Sequence, residues 1–230
     1  MCGRINQRKR DSEELQAEFY VTDIRYTHND LFNICPSEIA GGIIGLSEKI
    51  SYTRLRFGLI PRWAKDPLSF TRTFNARSET VFIKPVYREC ILRRRALIPV
   101  DSWFEWTKDK IPFMIQSSDT KLLSLAALWD TWKNPKNGEN INSMSIITMP
   151  SHVPLSEIHS RQPLVVPPPV RKEWLNPEIT DTPAVQRMVE NCVDHALSFR
   201  ITQVSTEVNN GRNKQIPITN CVNSSQLTHL

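Results

Sequence analysis

The chain has 230 residues, 40% hydrophobic and 23% charged, with 29 Lys and Arg against 24 Asp and Glu. That length favours one large globular domain, residues 1–230 with a short tail from about 214, and the absence of any run near the ~18 apolar residues of a membrane helix sets aside a spanning protein. The net charge of +5 permits a polyanionic partner without requiring one, and five scattered cysteines fit a reducing cytoplasm better than a disulfide framework.

In chain order, the first predicted element is a helix after Asp11, with Asp11 as N-cap, Glu14 three residues on, and Leu15 and Phe19 on its apolar face. Strands are predicted at 40–46 and at 51–57, where polar and apolar residues alternate. One strand is expected over 96–106, then others at 112–116, 122–129, 143–149, 164–166 and 199–204. The Asn- and Pro-rich stretch 132–142 is read as a hairpin connection. Further helical segments are expected at 155–159, 170–175 and 183–192. With 16 Pro and only 7 Gly the punctuation is rigid. Many short strands without regular strand–helix alternation predict an α+β fold: antiparallel β-sheets forming a barrel-like core with flanking helices.

Residue chemistry concentrates in separated clusters. Met1-Cys2-Gly3-Arg4 opens the chain, and removal of Met1 would leave a free amine and a thiol on one residue. An α-amine with a pKa of about 7.7–8.0 is partly neutral at pH 7 and can form a Schiff base with an aldehyde. The thiol can then close a five-membered thiazolidine. Arg4 offers a fork suited to phosphate. In Thr73–Thr80, Asn75 and Arg77 are two apart and share a side of an extended segment, where Glu79 is expected to pair with a nearby Arg. In Asp101–Trp106, Trp103 and Glu105 share one parity, Phe104 and Trp106 the other. A carboxyl among aromatics is where burial raises pKa into the range of proton transfer. His159 lies between a short helical turn and an apolar strand, two residues before Arg161, a setting for acid–base work. Pro61–Lys65 interleaves Trp63 with cations, which suits a single-stranded nucleic acid. The Arg93–Arg95 run reads as a solvated face. Cys192 and His195 are a lone pair without the second half of a metal site, so neither a metal nor a cofactor is expected.

These clusters resemble the SOS-response-associated peptidase family of abasic-site-processing proteins. The matching pieces, in order, are MCGR (1–4), FNICPS (32–37), GLIPRW (58–63), FNARSET (74–80), DSWFEW (101–106), IITMPS (146–151), IHSRQPLVV (158–166) and VSTEVNN (204–210). The resemblance runs from the first residue to about Asn213. It implies a barrel-like antiparallel core and a covalent crosslink between Cys2, once Met1 is removed, and abasic sites in single-stranded DNA. Glu105 and His159 fall on the family's catalytic carboxylate and histidine, and Asn75 and Arg77 on its DNA and sugar-phosphate contacts. Arg4, Trp63, Trp106 and Thr148 are expected near the DNA channel. The chain departs from the family at Cys35, where Ala is usual, and at Gln162. Expected with this reading are a monomer, a cytoplasmic location (nucleoid-associated in a bacterium), replication-fork proteins as partners, and reversal of the crosslink.

Three other readings are open. N-terminal-cysteine glutamine amidotransferases also begin Met-Cys-Gly, and Asn137-Gly-Glu139 is a fragment of their substrate motif, although no Arg-Gly-Pro-Asp element occurs. A Cys2/His159 pair has the residue types of a thiol peptidase that cleaves its own Met1. A plain single-stranded nucleic-acid binder would need none of this chemistry.

Overall fold

The computed structural model describes residues 2–118, 122–195 and 198–215, so Cys221, His229 and most of the expected tail lie outside the described residues. The chain begins with β1 (Ile5–Gln7), α1 (Ser12–Phe19), β2 (Asp23–Ile24), β3 (Leu31–Ile34), β4 (Ile39–Leu46) and β5 (Lys49–Phe57). It continues through β6 (Asn75–Arg77), α2 (Arg88–Arg93), β7 (Arg95–Val100), β8 (Ser102–Trp106) and β9 (Pro112–Ser117). The long strands β10 (Leu123–Lys133) and β11 (Asn140–Pro150) follow, then β12 (Arg161–Pro163), α3 (Arg171–Leu175), α4 (Thr182–Val193) and β13 (Phe199–Gln203).

Antiparallel pairing joins β11, β10, β7, β4 and β5 side by side, and a parallel contact between β11 and β5 (Ser143↔Arg56, Met144↔Phe57) closes them into a ring. A second sheet, in the order β13-β9-β8-β1-β3, is antiparallel throughout. The class is the α+β, barrel-like arrangement expected from the pattern of short strands.

Strand alternation assigns the two apolar faces of the ring. Ala96, Ile98 and Val100 of β7, Leu123, Leu125 and Ala127 of β10, and Met144 and Ile146 of β11 pack in one cluster with Cys2, Ile5, Trp103 and Ile115 of the second sheet region. The opposite parity, including Ile43, Leu97, Leu128 and Ile147, packs against Leu15 and Phe19 of α1, Cys90 and Ile91 of α2, Trp174 of α3 and Val185 and Met188 of α4. The Asp11 side chain caps α1 by accepting from Glu14 N at 2.7 Å, as its spacing predicts. Among the described residues no helix is long and apolar enough to cross a membrane.

Several expectations are corrected. The strand expected over 96–106 is two strands in different sheets, broken at Asp101. That carboxylate accepts from Arg8 N at 2.6 Å and pairs with Arg10 Nη2 at 2.7 Å, which pins the corner to the chain after β1. The strand expected at 164–166 lies earlier, as β12, and Val165 makes only an isolated bridge to Leu125. Strands β10 and β11 extend well into the expected connection, leaving a tip in which Asn134 and Glu139 are bonded through their backbones at 2.8 Å. Of the Arg93–Arg95 run only Arg93 is solvated. Arg95 is buried, and its guanidinium donates to the carbonyls of Ile91, Leu92, Trp174, Asn176 and Ile179, which ties α2 to the end of α3. Burial lowers its pKa to about 10.

Candidate active site

Cys2 reaches its place because β1 pairs antiparallel with β8. Ile5 lies opposite Trp103, and Phe104 N donates to Arg4 O at 3.0 Å, so the residues before Ile5 run back alongside Glu105 and Trp106. The Cys2 side chain is fully buried in the apolar cluster that includes Trp103 and Ile158. Burial, then the nearby Glu105 carboxylate, pushes its thiol well above the ordinary range, so the sulfur is held protonated.

Glu105 and Trp103 share one face of β8 and Phe104 and Trp106 the other, as strand parity predicts. Glu105 is only 4% exposed, and burial raises its carboxyl pKa to about 7. His159 follows a turn of 3-10 helix (Leu155–Glu157), and its backbone N donates to Leu155 O at 3.0 Å. Its Nδ1 lies 3.5 Å from Glu105 Oε1 and accepts from Arg161 N at 3.0 Å. The same Nδ1 lies 3.2 Å from Arg161 O, so the Arg161 main chain faces it with both a donor and an acceptor. Burial lowers the pKa of His159. The two groups are thus tuned in opposite directions, the carboxyl toward keeping its proton and the imidazole toward losing its own.

Asn75 enters from the ring. Strand β6 runs parallel to β11 with Asn75 opposite Ile146, and Tyr87 Oη donates to Asn75 O at 3.0 Å. The Asn75 Nδ2 donates to Cys2 O at 3.0 Å, while its Oδ1 is buried and has no hydrogen-bond partner among the described residues. Cys2, Asn75, Glu105 and His159, far apart in the chain, therefore converge.

Two cavities flank the site. One, of about 1050 Å³, is lined by Glu105, Trp106, His159, Ile111, Ser160 and Gln203 among others. The other, of about 550 Å³, is lined by Gly3, Arg4, Pro36, Phe74, Trp106, Lys110 and Asn209. Trp106 belongs to both walls. Its indole N–H donates to Asn209 Oδ1 at 2.6 Å, and the Arg4 guanidinium lies over its ring at 5.6 Å. Arg4 is less free than a phosphate fork would be, because it donates to Asn33 Oδ1 at 2.8 Å and Val208 O at 3.0 Å.

The remaining candidates are placed elsewhere. Arg77 is exposed at the end of β6, and among the described residues its side chain has no bonded partner. Trp63 is 55% exposed, edge-on to Phe70 at 5.4 Å, and lines neither cavity. Thr148 is fully buried under β6 and β12, with its hydroxyl committed to Ala76 O at 3.4 Å and Arg161 Nη2 at 3.3 Å, which makes it a support and not a surface contact. Glu79 pairs with Arg161, as expected. Cys35 is on the far side of Arg4, donating to Asn33 O at 3.2 Å and lying 3.9 Å from Lys214 Nζ.

Sequence reasoning passed over Asn33. Its φ of 51° is a left-handed conformation that Asn tolerates, and its amide donates to the carbonyls of Val208, Asn210 and Asn213. An Asn inside FNICPS matched by an Asn pair in VSTEVNN was the available signal.

Comparison with known proteins gives the family. The model for "SOS response associated peptidase (SRAP)" matches residues 1–211. Abasic site processing protein YoqW of Bacillus subtilis is 32% identical over 219 residues, which cover 93% of this chain and 96% of the relative. YedK of Escherichia coli is 31% identical, with the same coverage. HMCES of Xenopus tropicalis is 30% identical over 69% of this chain, which spans 54% of that longer relative. A crystal structure of a protein from Bacteroides thetaiotaomicron superposes with a TM-score of 0.74 at 21% identity, covering 89% of this chain and 92% of the other, a likeness of fold. Membership of this family sets the amidotransferase reading aside. The chain belongs to the SRAP family.

Proposed function

We propose that the protein acts in the DNA damage response by crosslinking to abasic sites in single-stranded DNA through Cys2, after removal of Met1. The observation that carries this reading is the convergence of Cys2, Asn75, Glu105 and His159 at the edge of two open cavities. In the ring-opened deoxyribose, C1′ is an aldehyde. The neutral amine of Cys2 adds to it, and the protonated Glu105 gives its proton to the departing hydroxyl, releasing water and leaving an iminium. The thiol then adds to C1′, its proton passing to the Glu105 carboxylate or to His159. The net change is amine plus thiol plus aldehyde to thiazolidine plus water, and the same groups serve the reverse steps.

A thiol held protonated is a poor peptidase nucleophile, which favours the amine as the first attacker. Asn75 supports the Cys2 backbone by donating to its carbonyl. Arg77, with Lys110 and Arg4 along the smaller cavity, supplies the positive charge that a phosphate backbone requires, and Trp106 and Trp63 supply stacking surfaces. Relatives named abasic site processing proteins support this substrate.

The test is a denaturing gel of the protein mixed with single-stranded DNA carrying one abasic site. The parent gives a heat-stable shifted band. Cys2→Ala retains the amine, so it gives a band only after borohydride reduction of its Schiff base. A stable, unreduced band from Cys2→Ala overturns the proposal.

A further inference from the structure

One ion pair beside the site is used by neither the nucleophile nor the DNA-facing residues. Glu79 lies just beyond β6 and Arg161 opens β12. These two strands flank the same part of β11: Thr148 is opposite Arg77 on one side and Pro163 on the other. The Arg161 fork spans that residue. Its Nη1 donates to Glu79 Oε1, and its Nη2 donates to Glu79 Oε2 at 3.0 Å and to Thr148 O at 2.5 Å. Exposed ion pairs are generally weak, but here the cation's side chain is only 12% exposed and the geometry is fork to fork. Arg161 holds the Glu79 carboxyl at about 2, so Glu79 is an anion at neutral pH.

The consequence lies in the backbone of Arg161. Its N–H donates to His159 Nδ1 at 3.0 Å, and the same nitrogen is 3.5 Å from Glu105. The position of the Arg161 main chain therefore sets the height of the imidazole. At its other end the clamp holds the segment that carries Asn75 against Cys2. We propose that Glu79 is a positioning residue, acting through Arg161 to hold the His159 ring and the Asn75 strand in register with Cys2. This rests on the crosslinking reading above. Nothing in it requires Glu79 to touch DNA, which as an anion it would repel.

The experiment uses the full chain as Glu79→Ala and Glu79→Gln. Three quantities are measured: the crosslinking rate at saturating abasic single strand, the affinity for a lesion-free strand of the same length, and the ¹⁵N shifts of the His159 ring. A small misplacement of a catalytic group is costly, so Glu79→Ala is expected to slow crosslinking by ~10-fold or more while lesion-free affinity stays within about twofold. The uncompensated Arg161 charge also lowers the affinity of His159 for its proton, so the ¹⁵N titration of its ring moves to lower pH. Glu79→Gln, which keeps a hydrogen bond, recovers part of the rate. A parent-like rate in Glu79→Ala overturns the proposal, as does an equal loss of rate and lesion-free affinity. If the parent itself fails to crosslink, the functional reading has failed separately. The His159 shifts then decide: movement on Glu79→Ala supports the clamp, and unchanged shifts overturn it.

Discussion

Glu105 is a carboxyl group that pays for its place. It is 4% exposed, and burial raises its pKa from 4.5 to about 7. The linkage to stability follows from that direction. Below about pH 4.5 the group is protonated in both folded and unfolded chains and contributes nothing. Between about 4.5 and 7 the unfolded chain releases the proton first, so folding weakens as pH rises, and above 7 the full penalty is present. Glu105→Gln, which cannot ionise, is therefore expected to be more stable than the parent by about 2–3 kcal/mol at pH 8 and equally stable near pH 4. Urea unfolding at the two pH values checks this. A Gln variant weaker than the parent at pH 8 would show that the buried carboxylate is stabilised by its surroundings. The same substitution removes the proton donor for loss of water, so stability and crosslinking should move in opposite directions.

At the scale of elements, the segment 206–214 behaves as a strap over Arg4 and Trp106. Asn33 binds its carbonyls at three points, Arg4 adds Val208 O, and Asn209 holds the indole of Trp106. Asn33→Ala loses these bonds and puts a less tolerant residue at φ 51°. It is expected to cost about 2–4 kcal/mol and to open the strap to proteolysis. A urea midpoint and a cleavage time course measure this; resistance equal to the parent's would mean that the strap is held from elsewhere. The helix after Asp11 and strands 40–46, 51–57 and 112–116 were legible because caps and alternation are local. Strands β1, β3 and β6 were not. Each is three or four residues long, and each is defined by a partner distant in sequence. Arg95 was misread for a related reason: a buried guanidinium needs a ring of carbonyls, and these come from α2 and from the far end of α3.

At the scale of the whole molecule, the barrel class was visible in the count and spacing of strands, but its closure by parallel pairing of β11 with β5 was not, because no turn chemistry marks it. The candidate site shows the same division. The residue types at Cys2, Asn75, Glu105 and His159 pointed to amine, amide and acid–base chemistry. That they meet depends on β1 lying beside β8, and on β6 and β12 flanking β11. Thr148 shows the limit: the sequence pattern gives no sign that β6 and β12 both cover it. The central claim is that amine and thiol of one residue close on one aldehyde carbon. It is tested most directly by mass spectrometry of the N-terminal peptide after reaction with an abasic single strand and nuclease digestion. The expected product is a peptide that begins at Cys2 and carries the sugar remnant less one water, unchanged in mass by borohydride because no imine remains. A peptide that retains Met1 with the sugar attached elsewhere, or an adduct that gains two hydrogens on reduction, would contradict it.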